Sequence, residues 1–155
     1  MPGTDPGVSD NGNVEEVANA AARGVVGAMA MTGMRAFTVS AGLVEDAPPK
    51  TVLRKTTKGL IGLVPKGKRR AATELCHWAY GAVGGAAFGA LPDDVRRSRW
   101  AGPAYGLATW LAYELAVAPA LKLPRVKQSR PVDRLFLALD HLLYGLVLSE
   151  RRSPR

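Results

Sequence analysis

A chain of 155 residues, 47% of them hydrophobic and only 6% aromatic, is one domain's worth of sequence whose apolar content comes mainly from Ala, Gly, Leu and Val. The formal net charge of +8 suits an anionic partner, nucleic acid or a membrane surface, and does not choose between them. Cys76 is the only cysteine, which excludes an internal disulfide and argues against a structural zinc site.

Residues 1–16 are polar, acidic and rich in Gly and Pro, and they read as a disordered tail. They lack the basic segment and apolar core of a cleavable signal peptide. A membrane domain is predicted over 17–150, with spans at about 24–44, 72–91, 101–121 and 132–149, followed by a basic tail at 151–155. The first span, Gly24 to Val44, carries one charge, Arg35. The loop after it reads "TVLRKTTKGLIGLV". Val52, Leu53, Leu60, Leu63 and Val64 fall mostly on one helical face, with Arg54, Lys55 and Lys58 elsewhere. This predicts a short basic amphipathic helix lying on the headgroups and contacting anionic lipid. The simpler reading of the same charges is a solvated loop.

In the second run Gly81, Gly85 and Gly89 recur every four residues and form a ridge without side chains. Each Gly costs a soluble helix about 1 kcal/mol against Ala, whereas between helices in lipid such a ridge lets backbones approach. Gly102 and Gly106 repeat the spacing in the third span, which Trp100 and Lys122 bracket as interface anchors. The fourth run is the shortest and carries Asp140. Both histidines of the chain lie in one frame, HxxYG, as His77-Tyr80-Gly81 and His141-Tyr144-Gly145. His and Tyr three apart share a helix face, and the following Gly clears space for a facing helix.

Every run exceeds strand length and none alternates with a period of two. The predicted fold is therefore all-α: a bundle of four transmembrane helices with a short basic amphipathic helix in the first loop. The first and third loops carry eight Lys and Arg from Lys50 to Arg70 and five from Lys122 to Arg134, against seven in the second loop and the chain ends. The excess of positive charge places the long loops in the cytoplasm and both termini outside.

Arg35, Glu114, Asp140 and His141 all fall about 10 to 14 Å from the cytoplasmic edge of their spans at 1.5 Å per residue. They form one buried polar layer, in which Arg35 is expected to pair with Glu114. Glu74 and His77, one turn apart, form a shallower pair. "ELCH" has the ExxH spacing of di-iron helices, but the second such motif is missing, since Ala138 stands three residues before His141. No metal or other cofactor is expected. Nucleophile motifs and phosphate-binding glycine loops are absent as well, so no enzyme activity is predicted.

The order of features resembles the YagU-like family of bacterial inner-membrane proteins, whose function is uncharacterised. The matching pieces are a first span with a mid-span base, Arg35, then "EDAPPK", a second span opening with His77, "WAGPAYG", and a last span reading "DHLLYGLVLSERR". The resemblance implies a multi-pass inner-membrane protein with no established activity and supplies no catalytic residues. The expected role is a non-enzymatic structural or partner-binding membrane module. Its partners would be the bilayer with its anionic lipids, and a second copy or another membrane protein. A proton or small-ion carrier using the polar layer is the alternative, and a soluble Ala-rich helical bundle binding nucleic acid the second.

Overall fold

A computed structural model describes residues 6–43, 64–120 and 131–149. The expected headgroup helix bearing Arg54, Lys55 and Lys58 lies outside the described residues, as do the third loop and the basic tail. Among the described residues all regular structure is helical, and the chain is all-α.

Helix α1 spans Pro6–Ser40. It starts inside the stretch expected to be a tail, with Pro6 at a first helical position where its missing N–H is no loss. Tertiary contact reaches far into that stretch: Arg96 bonds the Glu16 carboxylate, and Val17 packs under Gly89. The other end closes in a Schellman motif. Gly42 takes φ +69°, Leu43 N–H donates to Thr38 O at 3.0 Å and Gly42 N–H to Val39 O at 3.0 Å, so two otherwise orphaned carbonyls are bonded. A 3₁₀ turn at Lys66–Lys68 leads into α2, Arg69–Gly89. The short α3, Asp93–Arg96, turns the chain.

The third long segment is composite. Helix α4, Ala101–Ala112, widens into a π-helical stretch, Tyr113–Val117, and ends as α5, Ala118–Ala120. Pro119 lacks the N–H that would bond Leu115 O, and its ring would crowd that carbonyl in an α-turn. The wider π-turn accommodates both defects. Helix α6 spans Pro131–Leu148.

No helix among the described residues is long and apolar enough to cross a membrane. The physical reason differs by element. Arg23 and Arg35 interrupt α1, Gly and Ala dilute α2, the π-stretch divides the third segment, and Asp133, Arg134 and Asp140 interrupt α6.

Helices pair antiparallel in two hairpins, each held close at two glycine positions. A Cβ on Gly24 of α1 would stand 2.1 Å from Gly81 O of α2, and one on Gly85 2.2 Å from Ala20 O. In the second hairpin a Cβ on Gly102 of α4 would stand 2.2 Å from Gly145 O of α6, and one on Gly106 2.1 Å from His141 O. Backbones touch only because these positions lack side chains. Helix α6 then packs against α1, and α4 touches α2 through Tyr105, whose hydroxyl donates to Gly84 O at 2.8 Å. Helices α1 and α4 therefore sit on a diagonal. The apolar centre, Met31, Phe88, Tyr144 and Leu148, runs from Leu148 and Phe88 near α3 to Met31, next to Thr32, where the larger group of polar side chains begins.

A candidate polar site between α1, α2 and α6

The central pair is Arg35 and Asp140. Their side chains approach to 3.5 Å and are 16% and 8% exposed. This corrects the expected Arg35–Glu114 pair. Helix α6 stands between the helices that carry them, contacting both. Glu114 instead faces Arg134 of α6 at 3.9 Å, its own side chain 7% exposed and that of Arg134 50%, and it lies within the π-stretch of the third segment.

Thr32, one turn before Arg35, is the hub of the second group. Its hydroxyl has one proton to give, and Glu74 Oε2 at 3.0 Å and its own helix's Ala28 O at 3.1 Å both compete for it. Trp78 Nε1–H donates to the same oxygen at 3.4 Å, and His77 Nδ1 lies 3.4 Å away. Glu74 and His77 thus meet through Thr32 of the facing helix. His141 donates from Nδ1 to Leu137 O at 2.8 Å, since a carbonyl can only accept, which leaves Nε2 bare in the neutral ring. Arg35, Glu74 and His141 all lie within electrostatic reach of His77.

Of the residues singled out for packing, Gly81, Gly85, Gly89, Gly102, Gly106 and Gly145 are all buried against facing helices. Arg35, Asp140, His141, Glu74 and His77 come together at the polar end, and Glu114 stands apart from them. The two HxxYG frames diverge. Tyr144 is 5% exposed and donates to Gly81 O at 2.6 Å, whereas Tyr80 is 68% exposed. The cause is steric. Tyr144 occupies a notch in the first hairpin where a Cβ on Gly27 or Gly84 would come within 2.7 Å of it. Aligning Gly24 with Gly102 and Gly81 with Gly145 puts Tyr105 and Leu148 at the corresponding places. Those side chains fill the notch that Tyr80 would need.

Thr32, Trp78 and Arg134 were not foreseen. A lone Thr or Trp inside an apolar run has no spacing signal of its own, and only the i, i+3 relation of Thr32 to Arg35 points to a shared face. A clasp at the opposite end was missed as well: the guanidinium of Arg96, almost fully buried, bonds both Glu16 of α1 and Asp93 of its own turn. These bonds, then those from Arg97, hold the Asp93 carboxyl below its ordinary range, and the Glu16 bond foremost raises Arg96 above its ordinary value.

Fold and site together define an all-α bundle of two glycine-packed antiparallel hairpins with ionisable groups buried between them. Among the described residues no three His, Cys, Asp or Glu side chains are grouped to hold a metal ion. The chain matches no protein-family model, and no curated protein or solved structure is similar to it.

Proposed function

We propose that the chain is a multi-pass inner-membrane protein, a lipid-embedded four-helix bundle that serves as a non-enzymatic structural or partner-binding module. The observation that carries this reading is the distribution of side chains, which is inverted relative to a water-soluble bundle. Large apolar groups point outward, with Tyr80 and Val83 68% and Leu115 75% exposed, while Gly and Ala fill the helix contacts and charges pair inside. Water penalises such a surface and lipid does not. Back-bonded hydroxyls fit the same setting: Thr32, Thr109 and Ser149 each donate to a carbonyl three or four residues earlier. The modest hydropathy of α1 and α6 counts Arg35 and Asp140 as separate charges, and insertion as a pair costs less. In this reading the loops around Lys66 and Lys127 face the cytoplasm and meet anionic lipid, and the resemblance to the YagU-like family supplies no activity beyond it.

Alkaline carbonate treatment of lysed cells tests the proposal. The protein should stay in the pellet, and recovery in the supernatant would overturn the membrane reading in favour of a soluble bundle with an anionic partner. Orientation is tested by a reporter active only outside the cytoplasm, which should work after Arg155 and fail near Lys66.

The clustering of half-buried Arg35, Glu74, His77 and His141 with buried Asp140 at one end supports a second reading, a carrier of protons or small ions. Proteoliposomes carrying the protein should then show pH-driven flux that Asp140→Asn abolishes. Flux equal to that of empty liposomes removes this reading.

A further inference from the structure

We propose that Glu74, Thr32 and His77 form a single proton-sharing site in which the Thr32 hydroxyl relays a proton between carboxylate and imidazole. It deepens the carrier reading by naming where a proton is loaded. The geometry is that of a two-step relay: Thr32 Oγ1 lies 3.0 Å from Glu74 Oε2 and 3.4 Å from His77 Nδ1. In the loading direction a protonated Glu74 gives its proton to Oγ1 as the Thr32 hydroxyl proton passes to Nδ1. One O–H bond breaks and one forms at Thr32, one O–H breaks at Glu74, and one N–H forms at His77. The products are a carboxylate and an imidazolium, with Thr32 unchanged. Trp78, donating at 3.4 Å, occupies a lone pair of Oγ1 and orients the hydroxyl without competing for its proton.

Other charged neighbours leave the triad free to exchange. From α1, Arg35 is engaged by Asp140 of α6, and His141 of α6 has its Nδ1 proton fixed on Leu137 O. Entry is set by position. Glu74 sits five residues after the start of α2, about 8 Å along the axis, at the end of the bundle that carries Lys66, Lys68, Arg69 and Arg70. Beyond His77 the way is closed by the contacts of Gly81 with Gly24 and of Gly85 with Ala20. The phenols met there, Tyr144 and Tyr105, donate to backbone carbonyls. Protons therefore reach the triad from one end.

The test is the titration of ¹⁵N-histidine-labelled full-length protein in detergent micelles, with His77 and His141 distinguished by a His141→Gln sample. The His77 ring signals of the unmodified chain should show two inflections, its own and one transmitted from Glu74. Glu74→Gln should leave one, Thr32→Val should shrink the transmitted inflection to what Glu74 exerts on His77 directly through space, and Thr32→Ser should restore its full size. A Thr32→Val curve superimposable on that of the unmodified chain would overturn the relay, as would a Glu74→Gln curve with both inflections intact. Should Thr32→Val fail to fold, judged by loss of the His141 signal, the Glu74→Gln and Thr32→Ser curves decide. Absence of liposome flux with the coupled titration intact would remove the carrier and leave the triad as a protonation switch.

Discussion

Arg35 of α1 and Asp140 of α6 meet at 3.5 Å across the seam between the two hairpins, both nearly enclosed by protein. Each is the reason the other can be charged there. Removing one partner strands the other, and the expected loss for Asp140→Asn is about 3 kcal/mol. The double variant Arg35→Met with Asp140→Leu should recover most of it. Melts in detergent of both singles and the double measure the coupling, and additive losses would deny the contact. Glu114→Gln should change stability by less than about 1 kcal/mol, because its contact with half-exposed Arg134 is long at 3.9 Å and a neutral amide costs less to hold at this enclosed position than a carboxylate.

The glycine contacts predict a sharp positional contrast. Gly24→Ala drives a methyl group to 2.1 Å from Gly81 O, which cannot retreat without moving α2, and the expected cost is about 2–3 kcal/mol. Gly33 has nothing within 4 Å of an added Cβ. Gly33→Ala should be neutral or stabilise by up to about 1 kcal/mol through helix propensity. Equal losses in the two melts would show that α1 and α2 do not touch at Gly24.

Two tyrosines in identical sequence frames should respond differently to loss of the hydroxyl. Tyr144→Phe deletes a buried bond to Gly81 O and should cost about 1–2 kcal/mol. Tyr80→Phe, on an exposed ring, should leave the melting temperature unchanged.

Acid should loosen the clasp at α3 in a defined direction. The bonds from Arg96 and Arg97 hold the folded-state pKa of Asp93 below its ordinary value of 3.8. Its contribution is therefore complete above that value and fades as pH falls through the lower folded one. The melting-temperature advantage of the unmodified chain over Asp93→Asn should be constant near neutrality and close below pH 3.8. An advantage that persisted in strong acid would show that the carboxylate is not what Arg96 requires.

Helical periodicity, proline positions and run lengths determined that the chain is all-α and where three of its long helical segments run: 72–91, 101–121 and 132–149 were expected, and Arg69–Gly89, Ala101–Ala120 and Pro131–Leu148 are found. These are local properties, set by residues within a few turns of each other. The start of α1 was not legible, because its polar first turns are held by Glu16 and Val17 touching residues some 70 or more positions away. Depth along each helix was readable only in part: rise per residue is constant, and Arg35, Asp140 and His141 do gather at one site, but Glu114, eight residues beyond the Gly106 that abuts His141, lies about 12 Å farther along. Which of them meet was not readable. Depth fixes one coordinate of a side chain, while its partner depends on the rotation of each helix and on which helices are neighbours. Only the packing of α6 between α1 and the third segment gave Arg35 to Asp140 and left Glu114 to Arg134. Thr32 became a hub for the same reason: Gly24 and Gly81 set how closely and at what rotation α1 meets α2, and that close approach brings a Thr hydroxyl within reach of Glu74, His77 and Trp78 at once.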